Sequence, residues 1–384
     1  MKNLPISFNK PYIVGGELGN IFTAVQNGHI SGNGAYSKKV QAWFKQELGL
    51  ASALLTTSCT DALEMSAILL DIQPGDEVIL PSYTFVSTAN AFALRGAKLI
   101  FADSRSDRPG LDENELEALI GPKTKCIVPV HYAGVACQMD AIMDLAKRKG
   151  IRVVEDAAQA IDSFFIDANG LKRPLGSIGQ LSAFSFHETK NIMCGEGGLL
   201  AVNDPQFSAR AEIIWEKGTN RSQFFRGEAD KYGWVDIGSS FLASDLNAAF
   251  LYAQLESMAQ IQERRKQIWQ RYFEGLKELI GLGIQLPYIP EYATNNGHMF
   301  YLVCRSGVER DALIAHLKHH GIHAVFHYQS LHASPYFSAR HDGRQLVQSD
   351  RYSECLLRLP FYYELGEEDQ NRVVEQVLDF YQKR

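Results

Sequence analysis

Three short stretches of this chain carry side chains that can do covalent or acid–base chemistry. The first is Thr57-Ser58-Cys59-Thr60-Asp61-Ala62-Leu63, where a β-rich run gives way to a helical pattern. Small residues at a helix start let several backbone N–H groups converge on one anion, and the helix dipole adds to the attraction. A plain helix cap would use the same Ser and Thr. The second is Val153-Val154-Glu155-Asp156-Ala157-Ala158-Gln159, an acidic pair at the carboxyl end of an apolar strand. A carboxylate buried there needs a partner, and a protonated ring nitrogen is one; capping of the next helix is the ordinary alternative. The third is Phe184-Ser185-Phe186-His187-Glu188-Thr189-Lys190-Asn191, followed by Gly195-Glu196-Gly197-Gly198. A lysine desolvated in such a loop loses basicity and becomes a nucleophilic amine.

Each stretch alone is a weak signal, but together they fit one cofactor. Pyridoxal 5′-phosphate needs a lysine for its aldehyde, an acid opposite its ring nitrogen and a cradle for its phosphate. Asp156 lies 34 residues before Lys190, and the phosphate candidate lies upstream of both.

These residues must be held by a frame, and the sequence outlines one. Strand-like runs at Ser52–Thr57, Glu77–Leu80, Lys98–Ala102, Cys126–Val130 and Arg152–Glu155 alternate with helical windows at Ala62–Leu70, Glu113–Ile120 and Met139–Lys149. That alternation predicts an α/β domain with a mostly parallel sheet covered on both faces, completed by strands near Ala183–Ser185 and Gly198–Val202. From Asp245 to Tyr272 the spacing predicts one long helix, and a smaller α+β unit follows it. The boundary is expected near residue 255, which divides the chain into 1–255 and 256–384.

Composition narrows the function classes. Of 384 residues, 46% are hydrophobic and 21% charged, enough apolar material for packed cores, and the net charge is −6. The charges are interspersed, so a large nucleic-acid or anionic-membrane footprint is excluded. No apolar run is long enough for a membrane helix or a signal peptide, and six scattered cysteines form no CxxC pair. A cytoplasmic protein without structural disulfides is expected.

The stretches GDEVILPSYTFVSTANAF from Gly75, PVHYAG from Pro129, VVEDAAQ from Val153, SFHETKN from Ser185 and GEGG from Gly195 resemble the DegT-type sugar-nucleotide aminotransferases, over nearly the whole chain. The resemblance implies an aspartate-aminotransferase-like fold (fold type I) and a homodimer with active sites at its interface. EKGTNRSQFFRG, Glu216 to Gly227, is similar to the members that aminate dTDP-4-keto-6-deoxyglucose. That subgroup takes the amine of L-glutamate and makes dTDP-4-amino-4,6-dideoxygalactose for surface polysaccharides; a gluco-configured product and a 3-amino sugar stay open. By the same resemblance, Lys190 links to the cofactor and shuttles a proton, and Asp156 holds the ring nitrogen. Gln159 lies near the ring's phenolic oxygen and Phe85 stacks on the ring. Cys59, Thr60 and Ser185 hold the phosphate. His187, His131 and His327 fall on motif segments near the substrate, and Lys217, Arg221 and Arg226 suit its pyrophosphate. Where many relatives supply an asparagine from the partner subunit, this chain reads Asp236-Ile237-Gly238-Ser239-Ser240-Phe241, so Ser240 is the candidate for that contact.

Other signals are set aside. His316 and His320 are spaced four apart on a helical pattern, but no acidic third ligand stands at a familiar spacing, so no metal site is expected. A deoxysugar dehydratase of the same fold would carry histidine in place of Lys190. A sensor that keeps only the fold would have lost Lys190 or Asp156. A dehydrogenase would need a GxGxxG turn that is missing.

Overall fold

The structure, a computed structural model, describes residues 4–383. Its strands are β1 (Ser52–Thr56), β2 (Glu77–Pro81), β3 (Lys98–Ala102), β4 (Thr124–Ile127), β5 (Arg152–Asp156), β6 (Phe164–Ile166), β7 (Lys172–Pro174), β8 (Leu181–Ser185), β9 (Gly198–Val202), β10 (Tyr301–Val303), β11 (Val325–Phe326) and β12 (Leu356–Arg358). Seven of them form one sheet in the order β1-β9-β8-β5-β4-β2-β3. Neighbours are parallel except at β9, which runs against both β1 and β8. The expected α/β frame is therefore the observed one.

Both faces of this sheet are apolar because both are covered. Val153, Ile79 and Leu199 enter one buried cluster, while Val154, Val78, Leu80 and Leu200 enter another on the opposite face. Two-sided burial is why these strands read as continuous apolar runs rather than alternating ones. Since β1, β2, β5 and β8 all point the same way, Thr56, Pro81, Asp156 and Ser185 leave the sheet at one edge.

The long helix expected over Asp245–Tyr272 is two helices, Asp245–Glu256 and Met258–Leu276, broken at Ser257 (φ −103°, ψ 7°). The chain changes partners there. The first helix packs on Glu17–Gln26 and Ala35–Leu48, the second on the terminal helix Glu367–Gln382. The helical window at Glu113–Ile120 shrinks to a 3₁₀ turn and the single turn Leu116–Leu119.

Around the second helix a smaller sheet, β10-β12-β11, builds a separate core with Trp269, Tyr272, Phe300, Leu357 and Phe380. Near the amino end, Ile6 bridges Ile322 and the Phe8 carbonyl accepts the Phe361 N–H, so this segment is fastened to the smaller unit. Among the described residues, no helix is long and apolar enough to cross a membrane.

Candidate active site

At the carboxyl edge of the large sheet, where open α/β sheets bind ligands, lies a cavity of 590 Å³. Cys59, Thr60, Phe85, Asp156, Gln159, Ser185, His187, Lys190 and His327 line it. The three chemical stretches, far apart in sequence, thus open onto one space.

The first stretch is the start of the helix Cys59–Leu69. Ser58 has extended backbone (φ −156°, ψ 164°) and its hydroxyl accepts the Asp61 N–H at 3.1 Å, a capped helix start. The Ala62 N–H goes to the Ser58 carbonyl. The N–H groups of Cys59 and Thr60 have no intrahelical acceptor and are open to an anion. Gly198 closes the cradle from the other side: a Cβ there would stand 2.3 Å from the Cys59 nitrogen and from backbone atoms of Ser58. Only a residue without a side chain lets β9 pass so near this loop. Gly198→Ala is expected to displace the helix start and to weaken cofactor binding by about tenfold or more, consistent with overpacking costs of ~1–3 kcal/mol; a calorimetric titration with the cofactor checks this.

Strand alternation separates the acidic pair. Asp156 faces the cavity, where Oδ2 accepts from the Thr88 hydroxyl at 2.7 Å and Oδ1 from the Ala158 N–H at 3.1 Å. Burial holds its carboxyl above the usual aspartate range, against the opposing pull of these donors and of Lys190. Glu155 points the other way and is fully buried. Its oxygens accept N–H groups of Gly176, Ile178 and Gly179 and the His131 Nε2–H at 2.9 Å.

The third stretch forms the turn between β8 and β9, which must cross the carboxyl edge because β9 returns antiparallel. Phe186, Glu188 and Cys194 close it by backbone bonds, and the Lys190 N–H donates to the His187 carbonyl. Its next residue is clamped. Asn191 Nδ2 donates to Gln262 Oε1 at 2.9 Å and to the Asn296 carbonyl at 3.0 Å, while Oδ1 lies 2.7 Å from His298 Nδ1. Burial lowers the Lys190 ammonium below its ordinary value, with Cys59 and Asp156 pulling it back. The arrangement can hold a nucleophilic amine and a carboxylate on one side of the cavity and an anion at its end.

Other expected residues take more definite places. Phe85 lines the cavity and is 55% exposed, with its ring centroid 6.0 Å from that of Tyr328. Gln159 Oε1 accepts the Ala133 N–H and Nε2 donates to the Tyr328 hydroxyl at 3.0 Å. His187 shares Nδ1 with the Thr189 hydroxyl, and His327 stacks on Tyr328 at 3.6 Å.

Some do not reach the cavity. His131, expected at the substrate, is wholly buried: Nε2 is taken by Glu155, and Nδ1 accepts the Cys137 N–H at 3.2 Å. It supports the strand ends instead of meeting a ligand. The N–H donors and His131 hold Glu155 below the ordinary glutamate value despite burial. Stability from this group is thus present above about pH 4.5 and lost as acid titrates it. Glu155→Gln removes the charge and is expected to cost about 3 kcal/mol, read as a lowered melting temperature at neutral pH. Ser240, Lys217 and Arg221 are exposed and outside this chain's cavity lining. Of the expected basic group, Arg226 is neutralised by Glu212 and Glu228.

Sequence reasoning missed Thr88, His298, Tyr328, Arg358 and Phe8, all at the cavity wall. The one readable signal was Arg358, a charge inside the apolar run Leu356–Leu359.

The fold and this site define a pyridoxal-phosphate-dependent aminotransferase, and comparison with known proteins agrees. The DegT/DnrJ/EryC1/StrS aminotransferase family matches residues 12–378, and the chain belongs to that family. The aminotransferase TlmJ from Streptoalloteichus hindustanus superposes with a TM-score of 0.89 at 28% identity, covering 98% of this chain and 99% of that one. DesV of S. venezuelae, solved with a ketimine intermediate, gives 0.89 at 28% identity over 100% of both chains. Spr1654 from Streptococcus pneumoniae, solved in a PLP form, shares the fold at 0.89 and 24% identity, with 99% of each chain covered. The cradle that only glycine permits, the amine and the carboxylate all fit the family's cofactor.

Proposed function

We propose that this enzyme moves the amino group of L-glutamate to C4 of dTDP-4-keto-6-deoxy-D-glucose, giving dTDP-4-amino-4,6-dideoxy-D-galactose, and works as a homodimer. The observation that carries the reading is that Lys190, Asp156 and the open N–H groups of Cys59 and Thr60 face a single cavity.

The cofactor, when bound, supplies an electron sink beside the reacting carbon. Lys190 would hold it through Nζ until the donor's amine replaces that link; the freed Nζ, its basicity lowered by burial, would then take a proton from the donor's α-carbon and return one to the sugar C4. Asp156, preset by Thr88 and Ala158, keeps a proton on the ring nitrogen. Cys59, Thr60 and Ser185 would hold the phosphate, Phe85 would cover a ring face and Gln159 would meet the phenolic oxygen. His187 and His327 approach the sugar. Exposed Lys217 and Arg221 meet the pyrophosphate, and Ser240 reaches the partner subunit's phosphate site. Exposed Leu18, Phe22 and Val25 follow one face of the helix Glu17–Gln26, which supports association of two chains.

The sugar assignment is supported by the likeness of Glu216–Gly227 to the 4-aminating subgroup. Incubation with dTDP-4-keto-6-deoxyglucose and L-glutamate tests it. The expected outcome is a 4-amino product whose proton couplings at C4 report the galacto configuration. A gluco product, amination at C3 or no conversion would each refute the assignment.

A further inference from the structure

Beside Lys190 the cavity holds an imidazole whose tautomer is set by its neighbours. His298 is buried and lines the cavity together with Lys190. Its Nδ1 lies 2.7 Å from Oδ1 of Asn191, the residue that follows Lys190 in the chain. The Asn191 amide cannot turn round, because Nδ2 donates to the Asn296 carbonyl at 3.0 Å and to Gln262 Oε1 at 2.9 Å. Gln262 is fixed in turn, with Nε2 donating to Asp162 Oδ2 at 3.2 Å and to the Asn296 carbonyl at 3.3 Å. Asn191 Oδ1 can only accept, so the proton of His298 sits on Nδ1. Nε2, on the other side of the ring, carries a bare lone pair and has no hydrogen-bond partner among the described residues.

A bare nitrogen in such a place calls for a donor. We propose that His298 is a positioning residue whose Nε2 accepts an N–H of the Lys190 amine once the donor's amine has displaced it, an assignment that rests on the aminotransfer reading above. A primary amine on a four-carbon stem turns freely, and only some orientations aim its lone pair at the α-carbon. Pinning one N–H to a fixed acceptor turns the lone pair away from that acceptor, into the open cavity where the donor must bind. The ring does this without competing for the proton. Burial and the cations Lys190, Arg265 and Arg358 hold it well below the ordinary histidine value, so it accepts a hydrogen bond but is too weak a base to take the proton itself. The other groups at the cavity suit the task less. His327 Nδ1 lies 2.6 Å from the Tyr132 hydroxyl, and a phenol donating there leaves the proton on Nε2. Asp156 is engaged by Thr88 and Ala158. Since Asn191 is joined to Lys190, the clamp that holds the loop also holds the acceptor in register with the amine.

Two amides separate this role from mere bracing. In His298→Asn the short amide can still donate to Asn191 Oδ1 but puts nothing at the Nε2 position. In His298→Gln the longer amide puts an oxygen there and gives up the bond to Asn191. Holoenzyme is mixed with L-glutamate, without sugar, while the visible absorbance of the lysine-linked cofactor is followed. The maximal rate is expected to fall about 100-fold in His298→Asn, with half-saturating L-glutamate within about twofold of wild type, and less than about tenfold in His298→Gln. A loss in His298→Gln as large as that in His298→Asn, or larger, overturns the proposal. The cofactor-free chain gives a second readout, because losing the acceptor destabilises the Lys190 ammonium. At a slightly acidic pH, trinitrobenzenesulfonate should label residue 190, scored by mass spectrometry, about tenfold faster in His298→Asn than in wild type or His298→Gln. Equal labelling of all three overturns the proposal. If neither variant folds, nitrogen NMR of histidine-labelled wild type decides: His298 is expected neutral with its proton on Nδ1, and a charged ring or a proton on Nε2 overturns the assignment. The readouts separate the two failures. Faster labelling of His298→Asn, with no cofactor conversion by any of the three, refutes aminotransfer and sustains the pairing. Normal conversion by wild type with unchanged labelling refutes the pairing alone.

Discussion

Lys190→Ala is expected to fold and to be catalytically dead. Among the described residues Lys190 makes no ion pair, and it lines an open cavity, so its removal breaks no buried network. The variant's melting temperature without cofactor should stay within about 2 °C of the wild type, as for substitutions away from packed features. Turnover should fall by at least ~10⁴-fold, because one amine serves both as covalent anchor and as proton carrier. The direct measurement is the visible spectrum after cofactor addition, followed by borohydride reduction and mass spectrometry. Wild type should retain a reduced covalent adduct on residue 190 and the variant none. An adduct of normal yield in Lys190→Ala, on any other lysine, would remove the basis of the proposed function.

Asp156→Asn tests the opposite end of the ring and has a different signature. The covalent link at Lys190 should survive, so the visible absorbance remains. Turnover should drop by about 10²- to 10⁴-fold, since taking one partner from a buried charge pair costs ~3–5 kcal/mol. Stability should move the other way. Burial holds the Asp156 carboxyl above its ordinary range, so its ionised form is a burden on the protein without cofactor. A neutral amide relieves it while still accepting from Thr88 or Ala158. The cofactor-free variant is therefore expected to melt no lower than wild type, the exchange of stability for activity common at active sites. Loss of both absorbance and stability would instead make Asp156 a structural residue.

The two substitutions differ in how far their roles were legible beforehand. A lysine in a Ser/His/Thr-rich loop before a glycine cluster, and an acid at the end of an apolar strand, are one-dimensional signals. Their chemistry depends on residue type and on a strand-to-loop boundary, and both survive translation into sequence. Gly198 is similar: it stands in a readable motif, but its reason, the approach of β9 to the Ser58–Cys59 backbone, is a distance between segments. His131 shows the opposite case. Its motif suggested a ligand contact, yet the structure spends both ring nitrogens on Glu155 and Cys137 beneath the cavity. The break at Ser257 was equally hidden, because helix propensity continues across it and only a change of packing partner bends the chain.

What the amino-acid sequence determined by itself is the chemistry and the frame. Alternating strands and helices require a covered parallel sheet, and the types of residue at positions 59–60, 156 and 190 suit a single cofactor. What only the tertiary structure decided is orientation and company. Pleating turns Asp156 to the cavity and its neighbour Glu155 to buried N–H groups. Packing of the smaller unit places Arg358 and Phe8 across from Lys190, although both lie more than 150 residues away from it in the chain. The physical reason is the same throughout. Covalent and acid–base capacity belongs to a side chain, whereas burial, the direction it faces and the absence of a counter-ion belong to its neighbours, which sequence order does not specify.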